Sequence, residues 1–260
     1  MLYVVATPIG NIDDASIRMR EVLSSVDFIL CEDTRRAKKL LQRLDIVVPH
    51  LISCHAHNEN KRVERAIEEL LSGKKGAYIS DAGMPAVSDP GMRLVEAAHA
   101  AGVAVIPIPG PSAVGTALAA SGFETPPYHF LGFPPRKTTA RNRWLLAASQ
   151  LEGVLVLFEA GNRFEGLVRS LQESLPDREM CLCRELTKTH QEIIRKPVLD
   201  FEPTNVLGEV TLVIGPGKAY KSDDDNEQGI KHIAKKLSSE WGISKREAYN
   251  LLMTIKPDAV

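Results

Sequence analysis

The densest run of chemistry-bearing residues is Ile79-Ser80-Asp81-Ala82-Gly83-Met84-Pro85-Ala86-Val87-Ser88-Asp89-Pro90-Gly91, in which two Ser-Asp pairs are bridged by glycine and proline. Glycine lets backbone approach a ligand closely, and proline fixes the loop so that little entropy is lost on binding. A second loop of this kind is Pro107-Ile108-Pro109-Gly110-Pro111-Ser112-Ala113, where Ser112 can cap a small-residue helix over 113–120. A helix N-terminus there offers free N–H groups to an anion. Ala6-Thr7-Pro8-Ile9-Gly10-Asn11 is the third. Each loop alone can be a structural turn or a tight helix–sheet junction; together they predict a ligand crevice. No Gly-x-Gly-x-x-Gly follows the first strand and no Gly-x-x-x-x-Gly-Lys-Ser/Thr occurs, so dinucleotide and P-loop readings lose their support.

Carboxylates placed to accept a proton are Glu32, Asp33, Asp89 and Glu185, and Lys188 can steady an alkoxide or hold a phosphate. Asp33, before Thr34 and beside Arg35, can equally be a helix cap and ion pair. His55 and His57 have a spacing that can bind metal, but no cysteine or carboxylate completes a set, so no metal is expected. Basic residues gather at Arg35, Arg36, Lys38, Lys39 and Arg43, and again at Arg136, Lys137, Arg141 and Arg143. Charge runs are usually solvated faces. The formal net charge of −1 means that any grip on nucleic acid must come from such local patches. Trp144, inside the second cluster, is expected to pack in the core of its helix rather than stack on a base.

The elements that must carry these loops follow from periodicity. In the first half, strands over 2–6, 26–31, 76–80 and 103–107 alternate with helices. One helix is capped by Asp14 or Ser16, one by Thr34, and the others cover 58–71 and 90–101. That alternation predicts a mostly parallel sheet with helices on both faces and ligand loops at its carboxyl edge. The second half has strands over 128–133, 154–159, 179–184, 192–195 and 210–214, with helices over 138–148 and 164–175. The expected class is α/β: two α/β domains, 1–114 and 115–218, with a cleft between them. A solvated linker carrying Asp223-Asp224-Asp225 then leads to a small helical module over 228–260. A hydrophobic fraction of 44% and a charged fraction of 25% suit a globular protein, and the four cysteines, Cys31, Cys54, Cys181 and Cys183, read as reduced, buried thiols. The apolar runs are strand-sized and no signal-peptide pattern opens the chain, so no membrane association and a cytoplasmic location are expected.

Residues 2–11, Glu32-Asp33-Thr34-Arg35, Ser53-Cys54-His55-Ala56-His57-Asn58, 80–91, 109–113, Gly132-Phe133-Pro134-Pro135-Arg136-Lys137, Arg184-Glu185-Leu186-Thr187-Lys188-Thr189-His190 and 208–215 occur in that order. This set, which spans nearly the whole chain, resembles the class III, tetrapyrrole-methylase-like S-adenosylmethionine (SAM) enzymes. Within them it is similar to the small-subunit ribosomal RNA cytidine 2′-O-methyltransferases. The resemblance implies two domains of tetrapyrrole-methylase type with SAM in the interdomain cleft, and a homodimer. It also implies methylation of a cytidine ribose in the decoding region of 16S ribosomal RNA, and the near-neutral charge favours the assembled 30S subunit as the form recognised. By motif position it sets Pro8, Asp81, Gly83, Met84, Pro85, Ser112, Ala113, Phe158, Leu186 and Val213 against SAM. It puts Glu32 where related methylases carry an acidic residue proposed as a base. Arg35, Arg36, Lys38, Lys39, Arg136, Lys137 and Arg141 would then meet RNA. Two departures stand out: Met84 replaces the usual Thr, and Phe158-Glu159-Ala160-Gly161-Asn162-Arg163 replaces Tyr-Glu-Ser-Pro-His-Arg. A tetrapyrrole or other small substrate, and a non-catalytic ribosome-binding role, are the rival readings. The basic clusters weigh against the first and the intact loops against the second.

Overall fold

In the computed structural model, which describes residues 1–47, 49–55, 58–125, 127–217, 238 and 244–249, the apolar runs of the first half become a parallel sheet. Its elements are β1 (Leu2–Val5), α1 (Ile17–Ser25), β2 (Phe28–Cys31), α2 (Thr34–Arg43), β3 (His50–Ser53), α3 (Glu59–Leu71), β4 (Gly76–Ile79), α4 (Met92–Ala100) and β5 (Val105–Ile108). Strand order is β3-β2-β4-β1-β5. Helices α1 and α2 press Met19, Leu23 and Leu41 onto Val5, Ile29 and Ala77. On the opposite face α3 and α4 press Val63, Leu70 and Leu94 onto Leu30 and Tyr78. Burial on both faces is why these strands read as continuous apolar runs. Because all five strands are parallel, the loops after β1, β2, β4 and β5 leave from one edge.

The chain continues through α5 (Ala113–Ser121), β6 (Tyr128–Gly132), α6 (Thr138–Ala148), β7 (Val154–Ala160), α7 (Phe164–Ser174), β8 (Glu179–Arg184), β9 (Glu192–Pro197) and β10 (Glu209–Ile214). These strands form a second sheet in the order β6-β7-β10-β8-β9, parallel only between β6 and β7. Helices α6 and α7 bury Leu145, Phe164, Leu167 and Leu171 on one face, against Leu155, Leu157 and Leu212. The other face is covered by α5, whose Val114 and Ala117 meet Val154, Val156 and Val213. Helix α5 therefore leaves the first sheet and packs on the second, and Met1–Gly215 form one compact unit.

The second unit is Pro216–Val260. In it, Ser244 opens a helical turn over 245–249 with a capping box. Glu247 N–H donates to the Ser244 hydroxyl at 3.2 Å, and Ser244 N–H donates to the Glu247 carboxylate at 2.9 Å. The aspartate run, and most of the terminal module expected from sequence, lie outside the described residues.

Local chemistry moved several boundaries. Asp33, not Thr34, caps α2, accepting from Arg35 N–H at 2.8 Å; a carboxylate is the better cap and Thr34 becomes the first helical residue. Ser16 caps α1, while Asn11 caps a short 3-10 turn over Ile12–Asp14. The edge strand β3 was not anticipated, because four residues, of which one is exposed, one buried and two half-buried, carry no clear period. Trp144 packs against the α6–α7 core, and all four cysteines are buried and free. Among the described residues, no helix is long and apolar enough to cross a membrane.

Gly91 enters α4 at φ +119°, and a Cβ there would lie 2.1 Å from the ring of Tyr78, which is wholly buried. Gly91→Ala should therefore cost about 2–3 kcal/mol from backbone strain and overpacking, read as a lower urea midpoint.

Candidate active site

Beyond the ends of β1 and β4 the chain does not separate. Thr7 N–H donates to the Gly83 carbonyl at 2.9 Å and Gly83 N–H returns a bond to the Thr7 carbonyl at 3.0 Å. The buried Thr7 hydroxyl donates to the Ser80 carbonyl at 3.1 Å, and the Ser80 hydroxyl donates to the Gly83 carbonyl, also at 3.1 Å. Gly83 takes φ +82°, which favours glycine there. The loop then turns through Ala86 and Ser88, both at φ +65°. Left-handed non-glycine residues cluster where a loop is held for function. Alongside, Gly110 runs against Ala6, and Ser112 caps α5 by accepting from Gly115 N–H at 3.4 Å.

The second half leans on this edge at two points. A Cβ on Gly10 would stand 2.5 Å from Lys188 Cγ and 2.9 Å from the Leu186 carbonyl, so that backbone approach requires glycine. Asn11 N–H donates to Thr187 Oγ1 at 3.0 Å. Gly132, at the end of β6, comes close to the Ser88 hydroxyl. Ile9, Ala113, Phe130 and Phe158 supply half-buried apolar surface here, with Phe158 edge-on to Phe130 at 4.8 Å and to Phe133 at 5.5 Å.

Beside Asp81 opens a cavity of about 690 Å³, lined by Glu32, Asp33, Arg35, Arg36, Ser53 and Asp81 among others. Two of its carboxylates are engaged. Asp33 is gripped by Arg35 through contacts of 2.8 and 3.1 Å, which hold its carboxyl far below the usual range. Asp81 pairs with Arg36 at 2.9 Å. The Glu32 carboxylate makes no hydrogen bond or ion pair with any described residue. Next to it, burial and then the charges of Glu32 and Asp81 push Asp89 up to about 6.

Across the loops from the second half, Glu159 is wholly buried. It accepts from Ala160 N–H at 2.9 Å, pairs with Arg163 at 3.2 Å, and keeps its other oxygen without a partner. Burial raises its carboxyl above the usual value, outweighing that hydrogen bond and the nearby arginines. Arg163 in turn donates to the Pro134 carbonyl at 3.0 Å, which anchors the loop that presents Arg136.

Of the residues expected from sequence at the cofactor, Pro8, Asp81, Gly83, Met84, Pro85, Ser112 and Ala113 lie on loops leaving one sheet edge. Phe158 contributes to the apolar surface beside them, and Leu186 is buried against Gly10. Val213 is fully buried beneath α5, and its side chain packs in the core there. Three of the expected catalytic residues are engaged with neighbouring side chains. Asp33 is a cap locked to Arg35. Lys188 bridges Glu185 at 2.8 Å and Glu209 at 2.9 Å. Burial works against the charge on Glu185, but Lys188 and Glu209 N–H outweigh it and leave the carboxyl below its usual value. The Glu185–Lys188 pair thus anchors the loop that touches Gly10.

Arg35, Arg36, Lys38, Lys39, Arg136 and Lys137 are exposed. Arg141 is not: it is buried and donates to Ser170 at 2.9 Å, because its helical position points it between α6 and α7. It leaves the basic cluster. Sequence reasoning missed Ser53 as a cavity residue and missed the Asp81–Arg36 pair, since no local pattern announces a contact across 45 positions. His55 lines the cavity, and His57 lies outside the described residues.

Asp89 makes a stability prediction. Its folded-state value of about 6 exceeds the usual 3.8, so the folded protein binds this proton more tightly than the unfolded chain. The ionised carboxylate therefore costs stability above about pH 6, and the cost fades as pH falls below about 4. Asp89→Asn should gain about 1 kcal/mol near neutrality, after discounting for solvent screening, and about 2–4 °C in Tm. The gain should vanish in melts run below about pH 4.

The model for Tetrapyrrole (Corrin/Porphyrin) Methylases matches residues 1–201. The chain is 36% identical to Ribosomal RNA small subunit methyltransferase I of Halalkalibacterium halodurans, over 96% of this chain and 93% of that one. It is 43% identical to the protein of the same name from Thermotoga maritima, over 82% of this chain and 97% of the relative. Among solved structures it resembles uroporphyrin-III C-methyl transferase from Thermus thermophilus complexed with S-adenyl homocysteine. That match has a TM-score of 0.57 at 14% identity, covering 82% of this chain and 96% of that one.

Proposed function

Since the chain belongs to the tetrapyrrole methylases, and within them to the ribosomal RNA small subunit methyltransferase I family, we propose that it methylates the ribose 2′-oxygen of a cytidine in the decoding region of small-subunit ribosomal RNA. It is a SAM-dependent methyltransferase. The observation that carries the finer reading is the juxtaposition at Asp81, one residue that belongs both to the clamped loops and to the polar cavity.

The groups present suit SAM. The capped N-terminus of α5 offers N–H groups to its carboxylate, and the apolar surface of Ile9 and Phe158 suits an adenine. Met84 offers a thioether where a hydroxyl is usual, so that loop must hold the cofactor by backbone and packing. SAM supplies an activated methyl on a sulfonium. What remains for the chain is to align the ribose oxygen and take its proton; alignment can supply about 7–11 kcal/mol of the barrier. Asp89, which precedes the cavity-lining Pro90 on the loop that follows Asp81, is assigned the proton, and burial beside Glu32 and Asp81 pushes its carboxyl up to about 6.

Arg35 and Arg36 line the cavity, and with the exposed Lys38 and Lys39 on α2 and Arg136 and Lys137 beyond Gly132 they are assigned to a phosphate backbone. The near-neutral whole favours a shaped substrate, the assembled 30S subunit, over free RNA. A homodimer, a cytoplasmic location, and a division into domains 1–114 and 115–218 with a helical module over 228–260 belong to the same reading.

Labelled SAM should pass its methyl to 30S subunits and not to a tetrapyrrole; transfer to the tetrapyrrole alone would overturn the reading. Arg136→Ala with Lys137→Ala should weaken subunit binding and lower its log–log salt slope by about 1.4–1.8, at roughly 0.7–0.9 per phosphate contact, with SAM affinity unchanged. Asp89→Asn should cut turnover on the order of 10²–10⁴-fold and remove the fall in wild-type rate below about pH 6.

A further inference from the structure

A cytidine-specific enzyme must distinguish cytosine from uracil, which differ at one position of the pairing edge: an amino donor in one, a carbonyl acceptor in the other. We propose that Glu32 reads the exocyclic amino group of the target cytosine inside the cavity beside Asp81 and so sets the preference for cytidine over uridine. This rests on the reading above.

The cavity, at about 690 Å³, lies within the roughly 300–1,000 Å³ span of small-ligand pockets, room enough for one nucleotide. Among Asp33, Asp81 and Glu32, the first two are spent on guanidinium partners within the site. Glu32 is the lining carboxylate left without a partner among the described residues. An ionised carboxylate accepts and cannot donate. It therefore suits the cytosine amino group and repels the lone pairs of the uracil carbonyl.

Position supports the assignment. Glu32 follows β2 directly, its carbonyl accepts from the Ser53 hydroxyl at 3.4 Å, and the next residue is the fixed cap of α2. The carboxylate thus projects from a backbone held on both sides. The arginines sit where phosphates would pass, since the side chains of Arg35 and Arg36 are 90% and 71% exposed at the same cavity. Charge for the backbone lies outside and one unspent acceptor lies within, an arrangement that reads a base whose pairing edge is free. Asp89, not Glu32, carries the proton in this scheme, which separates reading from chemistry.

The test compares 30S subunits bearing cytidine or uridine at the methylated position, with SAM affinity measured by calorimetry on each variant. Wild type should prefer cytidine in kcat/KM by on the order of 10–100-fold or more. Glu32→Gln, whose amide can donate to the uracil carbonyl, should lower that ratio at least about tenfold while SAM affinity stays at the wild-type value. Glu32→Asp, which keeps the acceptor, should retain a preference for cytidine. An unchanged ratio in Glu32→Gln overturns the proposal. So does an equal loss of turnover on both substrates in the Gln and Asp variants, the pattern of a base. Should Glu32→Gln fail to bind SAM, wild type decides: subunits carrying N4,N4-dimethylcytidine, which lack the donor, must react no better than the uridine subunits. Reaction at the cytidine rate overturns the proposal. If wild type methylates neither form of the subunit, the parent reading itself falls.

Discussion

Two parallel strands normally part company at their carboxyl ends, and the site depends on the fact that β1 and β4 do not. Thr7 and Gly83 exchange backbone hydrogen bonds as an antiparallel bridge, just past the parallel register that ends at Val5 and Ile79. The reversal is possible because Gly83 occupies the left-handed region. Thr7 and Ser80 are buried beneath it, and their hydroxyls donate to the Ser80 and Gly83 carbonyls, which ties the two loops together a second time. Asp81, Ala82 and Met84 therefore start from a fixed base. The same bridge positions Pro8 and Gly10, and Gly10 receives the loop of the second half anchored by Glu185 and Lys188. One pair of backbone bonds thus organises both sides of the site.

Charge around that base is sorted into two kinds of work. Arg35, Lys188 and Arg163 neutralise carboxylates whose task is to hold loops, and the first two leave their partners more acidic than usual. Asp89 has no such partner, and burial beside Glu32 and Asp81 makes it less acidic instead. The shifts run in opposite directions because one set of carboxylates faces cations while Asp89 faces other carboxylates. The chain's overall charge of −1 hides this, because the basic side chains lie at the rim and the acidic ones within.

Much of this was legible in the sequence, for reasons that differ by element. The strands of the first sheet announced themselves because parallel strands covered on both faces must be apolar throughout. The caps Ser16 and Ser112 were legible because a short polar side chain before an apolar-periodic run has one economical use. Strand β3 was not, since at the edge of the sheet only Leu51 and Ile52 reach the cores on its two faces, while His50 is exposed and Ser53 polar, which leaves no apolar run to read. Arg141 misled because composition shows a charge without its direction; only the packing of α6 on α7 reveals that it points inward to Ser170. Val213 misled for the opposite reason. Its motif position lies near the site, yet period-two alternation along β10 turns it under α5. The loops were readable as a ligand edge, but which carboxylates were already spent was not, because each partner arrives from another element.

The fold alone leaves the substrate open, since proteins named for acting on porphyrins share it at 14–19% identity. What can differ between such relatives is the wall of the cavity beside the clamped loops. A tetrapyrrole is a large, flat polyanion, which a site would meet with open apolar area and several unspent cations. Here Arg35 and Arg36 are each committed to a carboxylate while remaining mostly exposed, so they can touch a phosphate without surrendering their partners. The cavity is lined largely by polar side chains, Glu32 and Ser53 among them. Such a wall discriminates by donor and acceptor pattern, and a buried polar group left unpaired by the wrong ligand is costly. The clamped loops belong to a fold shared with those proteins, and under the proposed reading it is the few side chains at the ends of β2 and β3 that would tell one substrate from another.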